Sequence, residues 1–398
     1  MGAPPSGSRP AGARLRRAGD LAVGLAVCGY LIAALVGLPL FEDGSLYLFV
    51  IATEHAPELP NLRLSGTLPQ LPAVAAFALG ADLPVGRLVF SAGYAAVPLI
   101  TLVGCWWLLR RRSPALLLLV LPTFVGLQLN FSGVSELLSG LYLTWPLLLG
   151  MLLSPERRWV MAAAILWGPL LLLLHPLAFV FCFGLGLVAW LLCRPGAGRI
   201  GAGCRTAWRR IGLWLAANGL ARLLWTAYGL NEYERGRLNP SSALNYVLGE
   251  TVAQHVLVAL VALATLLTAG TLYRAREPAG GRRSLPVIPW LMLLSACWVG
   301  AEFILGRGIV LKSAVTVAVG LVGMAAVTLV ALRAGSDRAP APEAVPSTAL
   351  RLTGVALLVL ALAKSAAWWT GTRGLQDIVA SADTPCIDFA GDRPYSLQ

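Results

Sequence analysis

Apolar runs of roughly 18 to 24 residues recur along the whole chain, and no other feature constrains its fold as strongly. A run of that length crosses a hydrocarbon layer as one α-helix. Only a helix satisfies its own amide groups there, because lipid offers no hydrogen-bond partner. The runs fall near residues 19–41, 86–109, 114–129, 135–153, 158–174, 176–193, 211–229, 251–273, 286–302, 309–333 and 350–369. The fold class expected is therefore all-α, a polytopic transmembrane bundle of about eleven helices.

The gaps between runs alternate in charge. Arg110–Arg112, Arg157 and Arg158, Arg194 to Arg210, Arg274 to Arg283, and Arg333 with Arg338 share one side with the basic N-terminus. About 21 of the 31 basic residues lie there, and most acidic residues lie opposite. The positive-inside rule then puts the N-terminus in the cytoplasm and the C-terminus outside, in a multi-pass protein of the plasma membrane. Only 13% of residues are charged and the mean hydropathy is +0.74, whereas soluble domains carry about 25% charged residues. The net charge of +12 is explained by this topology, so no nucleic-acid partner is implied. Basic residues are almost all arginine, which with abundant Ala and Gly suggests a GC-rich, bacterial genome.

The domain plan follows. Residues 1–18 are read as a disordered basic cytoplasmic segment, and 19–333 as the transmembrane core with a first outer loop over 42–85. A cytoplasmic Pro/Ala linker covers 334–349, the last transmembrane helix 350–369, and an outer tail 370–398. The segment 69–82 is apolar but short and proline-flanked, suited to the interface or to re-entry rather than to a full crossing. The first run lacks a small-residue cleavage site and reads as a retained helix. Seven cysteines, most inside apolar runs and none in a CxxC pair, read as structural thiols.

No phosphate-binding glycine loop, zinc-protease motif or nucleophile elbow occurs, and His55, His175 and His255 are too dispersed for a metal cluster. The polar groups that remain concentrate at the outer face. The first loop reads FEDGSLYLFVIATEHAPELPNLRLSGTLPQLP. Glu42 and Asp43 stand where helix one leaves the bilayer. Either they end the helix in water, or the low-dielectric boundary readies one of them to accept a proton as a general base. Arg63 and Gln70 follow, groups suited to a phosphate or a sugar hydroxyl.

An acidic residue in the first outer loop, with Tyr47, Arg63, Gln70 and Pro72 after it, resembles the GT-C class of integral membrane glycosyltransferases. The likeness covers the first 110 residues best, and the chain lacks the sizeable C-terminal outer domain that many members carry. The resemblance implies an inverting transfer from a polyprenyl-phosphate-linked sugar donor to a glycan or lipid acceptor at the outer face. Asp43 or Glu42 would be the base, and a Mg²⁺ or Mn²⁺ ion could bridge acid and phosphate. The donor's tail would sit among membrane lipids.

Other residues fit that scheme or a plainer one. His175, in LLLLHPLAF, either faces the loop acid and the lipid phosphate or makes a tight outer turn. Arg222 lies four residues after Asn218 within a run; it faces the bundle interior or snorkels to the headgroups. Arg307 and Lys312, in GRGIVLK, either clamp a phosphate or anchor two spans. Lys364 reads as a snorkelling anchor, and Trp106, Trp107, Trp145, Trp368 and Trp369 as an aromatic belt. Two other functions stay open. One is a transporter or lipid flippase, which needs charge at the midplane; the other is a non-catalytic partner in envelope assembly.

Overall fold

A computed structural model of the protein describes residues 9–40, 43–59, 63–125, 134–194, 201–229, 263, 265, 267–269, 313–334 and 347–381. Helices and the short connections between them make up these residues, and no strand occurs among them. Among the described residues four helices are long and apolar enough to cross a membrane: Gly12–Leu35, Leu83–Leu109, Glu136–Leu153 and Ser347–Arg373. They present large apolar side chains outward, Ile100 at 71% exposure among them. In water that surface would be unfavourable; in lipid it is ordinary.

In chain order the helices are α1 (Arg9–Leu35), α2 (Asp43–Glu54), α3 (Leu71–Ala78), α4 (Leu83–Leu109) and the single turn α5 (Leu117–Val120). Then come α6 (Glu136–Leu153), α7 (Arg158–Leu172), α8 (Phe179–Leu192), α9 (Ala202–Tyr228), α10 (Ser313–Ala334) and α11 (Ser347–Ser381). Helix α1 packs on α11 and α4, α4 on α6, and α6 on α10, α8 and α7; α9 lies on α8 and α7. Side-chain contacts give the directions. Asp20 of α1 accepts a hydrogen bond from Trp106 near the end of α4 (2.7 Å), so these helices are antiparallel. Helices α1 and α11 run parallel: Gly19 faces Leu350, Ala22 faces Gly354, and the Trp368 indole donates to the Val36 carbonyl (3.0 Å). A Cβ on Gly354 would lie 2.4 Å from Ala22 Cα, so the small residues are what let these two backbones meet.

Caps start several helices. Asp82 accepts from the Val85 amide at α4 (3.0 Å) and Ser135 from the Leu138 amide at α6 (3.3 Å). The arginine-bearing ends meet on one face. Arg112 donates to the Leu153 carbonyl (2.5 Å) and to Ser154, and the Trp208 indole to the Pro155 carbonyl (2.8 Å).

Several boundaries differ from expectation. Helix α1 begins at Arg9 rather than residue 19, because Pro10 suits a first helical turn and Leu15 and Ala18 are buried. The run 114–129 is not one helix over its described part. Pro122 removes an amide donor, and Leu121–Val125 tightens into a 3₁₀ turn. Helix α9 starts at Ala202 instead of 211, where burying Trp208 extends it. Helix α11 continues to Ser381, past the expected end at 369, since no proline intervenes before Pro385. Trp145 leaves the aromatic belt: it is fully buried and donates to Thr123 Oγ1 (3.1 Å). Lys364 does not snorkel; it is 2% exposed, on the packed face of α11. The expected helix 286–302 and most of 251–273 lie outside the described residues.

Candidate functional site

The end of the bundle opposite the arginine-bearing gaps is closed by the first loop, which is folded rather than trailing. After α1 the chain reverses at Gly37, whose φ of +80° suits glycine, and passes through Leu38–Leu40 into α2. Gly44 presses on the Pro39 carbonyl so closely that a Cβ there would lie 1.8 Å from the oxygen. Tyr47, Leu48 and Ile51 of α2 then join Ala73, Phe77, Phe90, Tyr94 and Val134 in a second apolar core. The segment 42–68, expected to be an open polar loop, thus contains a packed helix. Residues 69–82 contain the short helix α3, which lies on α2 and α4.

Gln70 holds the return of this loop. Its Oε1 accepts from the Glu58 amide (2.8 Å), and its Nε2 donates to the Glu58 carbonyl (3.0 Å). Fully buried, it works as a latch on the backbone. The Ser65 amide donates to the Leu173 carbonyl (3.2 Å), tying the loop to the turn after α7.

Across that tie several polar groups converge. Arg63 Nη1 donates to Glu136 Oε2 at 3.0 Å, in an ion pair whose side chains are 15% and 9% exposed. The Tyr47 hydroxyl donates to Glu136 Oε1 (3.3 Å). Burial, then the Glu136 charge, push the Tyr47 hydroxyl well above the usual tyrosine range, so it stays protonated and donates. His175 caps the Pro176–Ala178 turn by accepting the Leu177 amide at Nδ1 (3.1 Å), which leaves the proton of the neutral ring on Nε2. Burial and the nearby charges of Arg63 and Arg222 hold this imidazole well below its ordinary range, hence neutral. Arg222 is 2% exposed, its guanidinium 5.2 Å from the Trp225 ring centroid. Thr226, one turn on, donates to the Pro176 carbonyl (2.9 Å) and fastens α9 to the His175 turn.

Of the residues singled out in the sequence, Arg63, His175 and Arg222 come together from three elements. Asp43 stands exposed in the first turn of α2, four residues before Tyr47, and its charge reaches the Tyr47 hydroxyl. Glu42, Arg307 and Lys312 lie outside the described residues. Glu136 is the residue that sequence reasoning passed over. It was visible as the single carboxylate between Asp82 and Glu156, directly after a serine cap and at the head of an apolar run. Two guanidiniums and an imidazole N–H make an anion-binding donor set, with an exposed carboxylate nearby to take a proton. Among the described residues no three His, Cys, Asp or Glu side chains gather to hold a metal ion. The chain matches no protein-family model, no curated protein and no solved structure.

Proposed function

We propose that the protein is a multi-pass plasma-membrane enzyme of about eleven transmembrane helices, N-terminus in and C-terminus out. It would transfer a sugar from a polyprenyl-phosphate donor to a glycan or lipid acceptor at the extracytoplasmic face. The topology is supported by the parallel course of α1 and α11 and by the gathering of arginines at one end. The chemistry is supported chiefly by the convergence of Arg63, Arg222 and His175 at the opposite end, with the charge of Asp43 reaching Tyr47, the partner of Glu136.

Nucleotide sugars do not reach that side of a membrane, so a donor there must carry its own leaving group into the lipid. In the proposed reaction Asp43 accepts the proton of the acceptor hydroxyl, and the oxygen attacks the anomeric carbon from the face opposite the phosphate. The bond from that carbon to the phosphate oxygen breaks, its electrons leave with the phosphate, and the configuration inverts. Arg63, Arg222 and the Nε2–H of His175 stabilise the departing charge. Glu136 and Tyr47 touch no substrate in this scheme; they hold Arg63 in place. A lipid flippase is the second reading, favoured by Lys364, which like Arg222 is a cation buried among packed helices.

The test uses membranes containing the protein, a panel of radiolabelled polyprenyl-phosphate sugars, and the variants Asp43→Asn and Glu42→Gln. Transfer that is abolished by one substitution at unchanged protein level supports the enzyme and identifies its base. A panel without transfer, or transfer indifferent to both substitutions, removes the reading.

A further inference from the structure

At the arginine-bearing end, a cavity of about 210 Å³ lies between α4, α6 and α7. Gly104 and Trp107 of α4, Pro146 of α6, and Trp159, Ala163 and Trp167 of α7 form most of its wall. The positions explain the shape. Trp159, Ala163 and Trp167 recur every four residues and so share one face of α7, while Gly104 leaves space on α4. Pro146 removes an amide from α6, and the Trp167 indole donates to the neighbouring Leu143 carbonyl (2.9 Å), pinning that wall. Trp107 is 64% exposed and Trp159 49%, so the cavity opens sideways, where the bundle meets lipid. An enclosed apolar cavity of 150 Å³ already stays dry and admits a small hydrocarbon. This one is larger and open to a solvent made of hydrocarbon chains.

Charge adjoins its wall along the chain. Arg111 follows Trp107 by four residues, Arg158 adjoins Trp159, and both are exposed. Their neighbours are engaged elsewhere. Arg110 lies over the Trp106 ring (4.3 Å) and Arg112 ties α4 to α6. The nearby carboxylates point away: Asp20 accepts from Trp106, and Glu156 accepts from the Gly201 amide at α9 (3.4 Å). A basic rim one turn from an apolar slot in the flank of a bundle suits an amphiphile with an anionic head.

The geometry points to a binding site for an anionic phospholipid, its phosphodiester on Arg111 and Arg158 and part of one acyl chain in the cavity. The inference rests on the chain crossing a bilayer and not on sugar transfer, so the two stand or fall separately. Activity with no lipid preference would remove this site alone; lipid preference without transfer would remove the enzyme alone.

The experiment is native mass spectrometry of the full chain in detergent, titrated with dioleoyl phosphatidylglycerol and dioleoyl phosphatidylcholine. Wild type should retain phosphatidylglycerol roughly tenfold more tightly, and the pair Arg111→Gln with Arg158→Gln should bring the two lipids near parity. Gly104→Leu tests the chain slot. A Cβ at Gly104 would lie 3.7 Å from Pro146 Cγ, an ordinary contact, so the added side chain fills the cavity without displacing the backbone. Ala163→Leu fills it from the other wall and serves if the first variant fails to fold. Either filled variant should lose the tight phosphatidylglycerol site while keeping the wild-type melting temperature in lipid-free detergent. Equal retention of the two lipids by wild type overturns the proposal, as does a preference untouched by the arginine pair or by a folded filled variant.

Discussion

Removing the carboxylate of Glu136 is the sharpest perturbation of the site that leaves its shape intact. Glu136→Gln keeps an oxygen for Arg63 but deletes the charge. At 3.0 Å, two unit charges attract by roughly 5 kcal/mol at an effective dielectric near 20. Desolvation of both groups takes back a large part of that. With side chains 15% and 9% exposed some screening remains, leaving a coupling of about 2–3 kcal/mol. The assay is a double-mutant cycle: denaturant unfolding in micelles of wild type, Glu136→Gln, Arg63→Gln and the double variant. Each single substitution should destabilise by about 2–3 kcal/mol because it strands a charge, and the double by scarcely more than one of them. Additive single effects, with coupling below about 0.5 kcal/mol, would refute the view that this ion pair holds the first loop to α6.

Two further outcomes follow from the same region. The folded protein holds His175 neutral while the unfolded chain protonates it near 6.5, so the stability this provides is present above pH 6.5 and lost as pH falls below it. The loss should reach at most about 1.4 kcal/mol per pH unit; in melting curves from pH 7.5 to 5, His175→Asn, which still offers an acceptor to the Leu177 amide, should flatten that slope. Gly44→Ala must push α2 off Pro39, where a Cβ would meet a backbone oxygen at 1.8 Å; by the scale of overpacking it should cost about 2–3 kcal/mol in unfolding experiments. Gly104→Ala, with 3.7 Å to its nearest neighbour, should be close to neutral.

The helical class and the positions of most helices were legible because both depend on composition over long windows. The apolar runs near 86–109, 135–153, 158–174 and 176–193 recur within a few residues as α4, α6, α7 and α8. What stayed hidden depends on pairing across the chain. Glu136 and Arg63 are 73 residues apart, and no local pattern joins them. Gln70 looked like a ligand because its amide suits one; only the folded loop shows that amide bonded to Glu58. Helix α2 was missed because its residues fall in a stretch read as the first outer loop, after the acidic pair Glu42 and Asp43. Its buried face, Tyr47, Leu48 and Ile51, becomes an apolar stripe only once α3 and α4 supply the opposite wall.

Arginine is placed in two opposite ways in this molecule, and the contrast bears on function. At one end Arg110 and Arg194 lie across indole rings, Arg111 and Arg158 face outward, and each keeps contact with water or headgroups at little cost. At the other end Arg63 and Arg222 are drawn into the protein, although burying a guanidinium costs several kcal/mol unless it is paired. Glu136 offsets the charge of Arg63, and a third positive charge is avoided by keeping His175 neutral. A purely structural end-cap would be served as well by leucine, and replacing a buried ion pair by apolar residues is often stabilising. Charge retained there against that alternative agrees with the proposed phosphate chemistry, in which an incoming phosphate would add a partner to guanidiniums already desolvated.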